Sequence, residues 1–361
     1  MEGYVKNVKK IAIVRANALG DFIVTLPAIY AISATYPMAE IILLGKPWHA
    51  GFLAGQRTPI DRVIVIPILK GLREEMNEQE NKNDVDSFFE DIKKEKLDIA
   101  IHFQGKGIAA NSFINKLGAK ITAGFTCPEA EMIDRSIPFF YYQHEVIRYL
   151  EVVSLIGAKP SVLEPVITIF ENDLQEARNF LSEHRNDSFV AIHPCGTDLR
   201  RMWTKEKFAQ LADALAEENL IIIFTGSTDD SRYMEEIIGG MKKYAINACG
   251  RLSLGGTAAL FSMSKVMIGI DTGPLHLARA VGSRTVGLYW APNIINWAPL
   301  TRAKHRPVIS WNMNCPQCEI IPNDPFPFQP VTASCTHSFS FIENISVKEV
   351  IHEVKNLLSG M

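Results

Sequence analysis

Gly269-Ile270-Asp271-Thr272-Gly273-Pro274-Leu275-His276-Leu277-Ala278 joins a buried-strand signal to a helix signal through an acidic residue, a hydroxyl and a glycine. The apolar run Val266-Met267-Ile268-Gly269-Ile270 reads as a strand of a parallel sheet, and Leu275, Leu277, Ala278, Ala280 and Val281 carry a helical spacing after it. A turn of this kind leaves backbone N–H groups at a positive helix terminus, where a phosphate can dock. The alternative reading makes Asp271 and Thr272 plain helix caps. What favours the anion site is a second junction of different chemical character near the start of the chain.

That junction follows the strand Ile11-Ala12-Ile13-Val14 and runs Arg15-Ala16-Asn17-Ala18-Leu19-Gly20-Asp21 into a helix bearing Phe22, Ile23, Leu26, Ile29 and Tyr30. In open parallel sheets the carboxyl ends of the strands face the ligand crevice, so Asp21 is placed for chemistry, with an N-cap as its structural alternative. A dinucleotide fingerprint would require three glycines at this turn, and only Gly20 is present, which disfavours a nicotinamide- or flavin-dependent oxidoreductase.

Outward from these two junctions the rhythm is regular. Ile41–Leu44, Val63–Ile66 and Ile99–Ile101 continue the first series of strands; Val190–Ile192, Ile221–Phe224, Val266–Ile268 and Val286–Tyr289 form a second series. The expected fold class is α/β, with two doubly wound domains hinged near residues 157–172: 1–165, 166–345, and a C-terminal helix over 346–361. Asn172-Asp173 reads as the start of a helix through Leu174, Ala177, Phe180 and Leu181, and Ser346 with Glu349 as a capping box for the last helix. The charged stretch 70–98 reads as an exposed helical excursion, and residues 312–341 as a long ordered loop.

With 361 residues and 47% hydrophobic content the chain can bury substantial cores. Its 37 Lys plus Arg against 40 Asp plus Glu leave a net charge of −3, which gives no general footprint for nucleic acid. The N-terminus is polar and its first apolar run is broken by Arg15, so a signal peptide is not expected, and no apolar run is long enough to span a bilayer. The expected location is the cytoplasm, with membrane contact limited to the periphery of the inner face. The six cysteines are then thiols, metal ligands or small buried hydrophobes.

In the second domain, the strand Val190–Ile192 gives way to His193-Pro194-Cys195-Gly196-Thr197-Asp198-Leu199-Arg200-Arg201-Met202-Trp203. Guanidinium groups suit phosphate oxygens, although an Arg-Arg step is also a common ion-pairing surface. The strand Ile221–Phe224 ends in Thr225-Gly226-Ser227-Thr228-Asp229-Asp230, where a carboxylate could accept both hydroxyls of a ribose. Three strand ends thus offer a cation, a diol acceptor and an anion-binding helix terminus, the makings of a nucleotide diphosphate site.

Ala18-Leu19-Gly20-Asp21 with Thr25-Leu26-Pro27-Ala28, Phe103-Gln104-Gly105, His193-Pro194 with Arg201-x-Trp203, Phe224-Thr225-Gly226, and Asp271-Thr272-Gly273-Pro274-Leu275-His276-Leu277-Ala278 together resemble family 9 glycosyltransferases, the group containing ADP-heptose:lipopolysaccharide heptosyltransferases. The resemblance covers most of the chain. It implies a GT-B architecture, two Rossmann-like domains facing across a cleft, and inverting transfer without a catalytic metal or cofactor. It further implies Asp21 as general base, Thr197, Arg201, Asp230, Asp271, Thr272, Gly273 and His276 as the donor site, and Gln104 and Lys106 on the acceptor side. The implied partners are an ADP-heptose donor and a glycan or glycolipid acceptor.

Departures from the family pattern are His193-Pro194-Cys195-Gly196 for His-Pro-Gly, Trp203-Thr204 for Trp-Pro, arginine for lysine at 201, and Trp290-Ala291-Pro292 for Gly-Pro-Thr. The last leaves open another nucleotide-sugar donor; a glycan-binding scaffold without catalysis is the alternative of a different class. Cys315-Pro316-Gln317-Cys318 with Cys335 and His337 has the ligand types of a zinc or iron site, but the irregular gap favours unliganded thiols, and no metal is expected. His49, His102 and His305 are isolated and read as ordinary structural residues.

Overall fold

A computed structural model describes residues 3–76, 78–184, 188–321, 335, 337 and 339–360. The chain divides into two units, Met1–Thr168 and Ile169–Met361. The first contains β1 (Lys10–Val14), α1 (Leu19–Ile23), α2 (Leu26–Thr35), β2 (Glu40–Gly45), α3 (Pro47–Leu53), β3 (Arg62–Val65), α4 (Lys82–Lys94), β4 (Ile99–His102), α5 (Ile108–Lys116), β5 (Ile121–Thr126), β6 (Arg135–Pro138) and α6 (Glu145–Ser154). The second contains α7 (Glu171–Ser182), β7 (Phe189–His193), α8 (Lys205–Ala216), β8 (Ile221–Phe224), α9 (Ser231–Gly239), β9 (Ala245–Asn247), α10 (Leu254–Met263), β10 (Met267–Ile270), α11 (Gly273–Ala280), β11 (Thr285–Trp290), α12 (Ala291–Trp297), β12 (His305–Ser310) and α13 (Val347–Ser359).

Each unit is built on a six-stranded sheet, ordered β3-β2-β1-β4-β5-β6 in the first and β12-β11-β10-β7-β8-β9 in the second. All pairings are parallel: Ile13 sits between Leu43 and Ile101, and Ile192 between Phe224 and Ile268. Counted from the first strand of each unit, both sheets read 3-2-1-4-5-6, the doubly wound order of the Rossmann fold. The expected α/β class is thus the observed one. Parallel strands are covered on both faces, which is why β1 and β2 show continuous buried apolar runs.

The pattern hid β5, β6, β9 and β12. β6 is an edge strand carrying Arg135, Ser136 and Pro138, and β12 is the opposite edge in the second unit with Pro307, a residue that only an edge tolerates. The charged stretch 70–98 does carry a helix with a mostly exposed surface, but α4 is the crossover between β3 and β4, not an excursion, and it buries Phe89 and Ile92, with Phe89 5.3 Å from the Phe113 ring. The helix opening the second unit starts at Glu171, and Asp173 is its third residue, accepting the Phe170 N–H at 2.8 Å. The loop expected over 312–341 falls partly outside the described residues.

The three isolated histidines are structural. His49 Nδ1 accepts the Lys46 N–H at 2.9 Å, and His305 Nδ1 lies 3.0 Å from Thr285 Oγ1. His102, fully buried, receives the Phe125 N–H on Nε2 at 3.1 Å, and burial lowers its pKa to about 4, so the ring is neutral. Its ring occupies the space a side chain at Gly124 would need: a Cβ there would lie 2.0 Å from His102 Cδ2.

α13 closes the chain with the capping box read from the sequence: Glu349 N–H to Ser346 Oγ at 3.2 Å and Ser346 N–H to Glu349 Oε2 at 2.9 Å. The helix buries Val350, Val354 and Leu357. Ser346→Ala is expected to destabilise the protein by about 1 kcal/mol, read as a lower urea midpoint at unchanged slope. An unmoved midpoint would show that the cap contributes nothing. Among the described residues, no helix is long and apolar enough to cross a membrane.

Candidate functional site

In a 3-2-1-4-5-6 sheet the chain leaves the first and fourth strands in opposite directions, and the loops at their carboxyl ends part to form the ligand crevice. In the first unit these are the loops after β1 and β4. Arg15, the residue immediately after β1, is buried and fans its guanidinium over three acceptors: the Phe103 carbonyl, the Asp21 carbonyl at 3.0 Å from Nε, and Asp21 Oδ1 at 3.1 Å from Nη2. Asp21 Oδ2 receives the Ala18 N–H at 3.3 Å, so the carboxylate is the third residue of α1 and not its N-cap. Its side chain remains 30% exposed while that of Arg15 is 4% exposed. The pair is therefore a buried cation holding a carboxylate that solvent can reach.

Behind Arg15 stands a second layer. The Tyr149 ring lies 5.2 Å from the guanidinium carbon, the Tyr149 hydroxyl donates to Glu145, and Glu145 pairs with Arg148. Burial raises the Glu145 pKa, against the pull of Arg148 and Arg15. On the β4 side, Gln104 is buried: its Oε1 accepts the Ala16 N–H at 3.2 Å and its Nε2 donates to the Leu72 carbonyl at 3.2 Å, fixing the loop that leads into α1. Lys106 is exposed two residues further on.

In the second unit the corresponding loops follow β7 and β10. Gly196 lets them approach, since a Cβ there would stand 2.9 Å from Thr272 Cγ2 and 3.0 Å from Ile270 Cδ1. Thr197 is exposed, and a single 3-10 turn, Leu199–Arg201, follows. The two arginines of that turn separate. Arg200 forms a bidentate pair with Asp198, at 2.9 and 2.8 Å, while Arg201 turns toward the strand β10 end, donating from Nη1 to the Asp271 carbonyl at 3.2 Å with Asp271 Oδ2 at 3.6 Å.

Asp271 is 3% exposed and is a hub. Oδ2 accepts from Asn293 Nδ2 at 2.7 Å, and Oδ1 lies 3.4 Å from His276 Nε2, whose other ring nitrogen is 3.3 Å from Arg279 Nη1. Asp271 therefore gathers Arg201 through its main-chain carbonyl and Asn293 through Oδ2, with His276 beside Oδ1. Thr272 is the N-cap of α11 without a side-chain cap bond; its hydroxyl lies 3.3 Å from the Ile270 carbonyl. Capping alone does not explain the Asp271-Thr272 pair. Pro274 brings no N–H to the first turn, so Gly273 supplies the N–H at the terminus of α11.

The other strand end of this unit, after β8, carries Asp230. It closes a turn by accepting the Ser227 N–H at 2.7 Å and the Ser227 hydroxyl at 2.6 Å. Partial burial opposes its ionisation, but the Ser227 hydrogen bonds outweigh that and hold its pKa below the ordinary aspartate value. His193, at the end of β7, touches Thr225 Oγ1 through Nδ1 at 3.2 Å, and burial lowers its pKa to about 4. Trp290 is 1% exposed: it stacks on Phe341 at 4.1 Å and donates to the Asn312 carbonyl at 2.5 Å, so this departure from the family pattern is a packing residue.

The sequence reading passed over Arg15 and Arg279 as site residues. Arg15 had a signal, a lone cation directly after an all-apolar strand at a ligand-facing edge. Arg279 had none, because its partners come from α11 and the end of α12.

Two doubly wound units, each gathering polar residues at the carboxyl ends of its central strands, define an α/β protein of the GT-B class. The chain belongs to glycosyltransferase family 9 (heptosyltransferase), whose sequence model matches residues 85–321. It is 24% identical over 300 residues to the lipopolysaccharide core heptosyltransferase OpsX of Haemophilus influenzae, covering 81% of this chain and 82% of that protein. Among solved structures it is similar to a family 9 glycosyltransferase from Veillonella parvula, with a TM-score of 0.77, 20% identity and coverage of 100% and 99% of the two chains. It is also similar to the ADP-heptose lipopolysaccharide heptosyltransferase II of Escherichia coli, with a TM-score of 0.71, 17% identity and coverage of 98% and 99%.

Proposed function

We propose that this glycosyltransferase moves a heptose from an ADP-linked donor to a sugar hydroxyl of a lipopolysaccharide core, with inversion at the anomeric carbon and no metal at the reacting centre. The observation that carries the reading is the pairing of chemistries within one chain. One switch point presents a reachable carboxylate held by a buried arginine; the other presents Arg201 beside the N-terminus of α11. The names of the relatives point the same way: OpsX is a core heptosyltransferase and the Escherichia coli enzyme is named for ADP-heptose.

In this reading Asp21 takes the proton of the acceptor hydroxyl as its oxygen attacks the anomeric carbon, and the bond from that carbon to the diphosphate oxygen breaks with its electron pair leaving on ADP. Arg201, the Gly273 N–H and the Thr272 hydroxyl meet the charge that grows on the diphosphate, an interaction stronger in the transition state than in the ground state. Asp271 and His276 hold that arrangement in place, Asp230 meets the ribose, and Thr197 lies beside the donor. Lys106 meets an anionic group of the acceptor, with Gln104 fixing the loop before it. The acceptor is met at the cytoplasmic face of the inner membrane.

The test is a comparison of nucleotides followed by a transfer assay. ADP is expected to raise the melting temperature more than UDP, GDP or CDP at equal concentration, because a ligand at 100 times its Kd stabilises the folded state by about 2.7 kcal/mol. ADP release from ADP-heptose should then depend on a core acceptor lacking its heptoses. A shift with another nucleotide and none with ADP would overturn the donor assignment.

A further inference from the structure

We propose that Cys315, Cys318, Cys335 and His337 bind one tetrahedrally coordinated thiophilic metal ion, zinc or iron, that fastens the loop after β12 to the segment preceding α13. The four ligand atoms, three sulfurs and one imidazole nitrogen, all lie within 4.8 Å of one another. Cys315 Sγ is 3.5 Å and Cys335 Sγ 3.7 Å from His337 Nδ1. A tetrahedral ion with bonds of about 2.3 Å to sulfur and about 2.0 Å to nitrogen sets its S···N edges at about 3.6 Å, so both edges already have the length that coordination requires. One ion accounts for all four side chains converging on a single point, whereas a disulfide between two of the thiols would leave the third thiol and the imidazole unexplained.

The backbone is shaped for the same purpose. Cys315 and Cys318 sit on a tight turn in which Cys315 N–H donates to the Ile320 carbonyl at 2.9 Å and Glu319 N–H to the Cys315 carbonyl at 2.8 Å, with Glu319 in the left-handed region at φ 59°. The Gln317 N–H points at Cys315 Sγ, 3.4 Å away, as N–H groups do that offset the charge of a metal-bound thiolate. Cys315 is fully buried and the other three ligands are half-buried. Four protein ligands leave no open position, which makes the site structural and separate from the transfer chemistry. Three thiolates and one imidazole in this geometry select zinc or iron over magnesium, calcium or manganese.

What the ion would brace is the wall next to the donor loop. On one side, Asn312 holds Trp290; on the other, Phe341 stacks on Trp290 and donates its N–H to the Arg200 carbonyl at 2.8 Å, one residue from Arg201. The inference does not rest on the donor or acceptor assigned above.

The test is elemental analysis of the full chain purified without chelators or metal-affinity resin from cells supplied with both metals. About one equivalent of zinc or iron per chain is expected, iron announcing itself by visible sulfur-to-metal absorption and zinc being colourless. The double variant Cys315→Ser with Cys318→Ser is expected to retain under a tenth of that metal. Thiol titration of the unaltered chain gives an independent reading that requires no variant: a chelator should release three additional reactive cysteines. Under a tenth of an equivalent in the unaltered chain, unchanged content in the double variant, or no chelator-released thiols would each overturn the site.

Discussion

Asp21→Asn is expected to lower the rate of sugar transfer by about a thousandfold while ADP affinity stays within about twofold of the parent. The amide keeps the shape of the carboxylate, and its one carbonyl oxygen can still accept from Arg15, while its NH2 cannot accept the Ala18 N–H that the second carboxylate oxygen receives. What it loses is the capacity to take a proton. General-base catalysis by a positioned side chain is worth about 10²–10⁴ in rate, so the loss falls on turnover. Asp21→Ala goes further and abolishes transfer, but it removes both acceptor atoms along with the charge and so leaves the buried Arg15 Nη2 and the Ala18 N–H without their side-chain partner. The asparagine variant is therefore the cleaner probe, read by single-turnover transfer alongside an ADP titration of the same preparation. Transfer within tenfold of the parent would remove Asp21 from the role of base.

The second large effect is on the other unit. Arg201→Ala is expected to weaken ADP binding by about 10- to 100-fold, the value of one or two hydrogen bonds to a charged group at about 1.5–3 kcal/mol in total. Arg201→Lys should recover part of this, since the charge remains but the planar fork of donors is gone. Arg200→Ala is the control: its guanidinium is occupied by Asp198 in a bidentate pair, so ADP affinity should change little. Calorimetric titration with ADP reads all three variants. Equal affinity in Arg201→Ala and the parent would sink the phosphate role, and an equal loss in Arg200→Ala would assign the effect to the turn as a whole.

Much of the architecture was legible because covered parallel strands must be apolar on both faces. β1, β2, β4, β7, β8, β10 and β11 all announced themselves that way. Of the edges only β3 did, through Val63–Ile66: β6 and β12 carry arginine and proline, and β9 has three residues, so none of these three presents an apolar run to read. At the site, the ligand-facing ends of β1, β7, β8 and β10 followed from strand-to-helix order alone, which placed Asp21, Arg201, Asp230 and Asp271 just beyond the carboxyl ends of those strands. Partner identity was beyond reach. That Arg200 pairs outward and Arg201 inward is decided by a 3-10 turn, and that Asp271 serves as a hub is decided by Asn293 and His276, one from α12 and one from α11. The assignment of Asp173 as a helix start erred by only a residue or so, because a capping acid at the third helical position resembles an N-cap in sequence.

The imidazole of His102 resting where Gly124 has no Cβ joins two neighbouring strands into one evolutionary unit. Alanine at 124 cannot coexist with that ring, and shortening the ring alone opens a hole in the sheet's interior while orphaning the Phe125 amide. Descendants of this chain can leave the pair only by a joint exchange, so the two positions should drift in concert across its lineage.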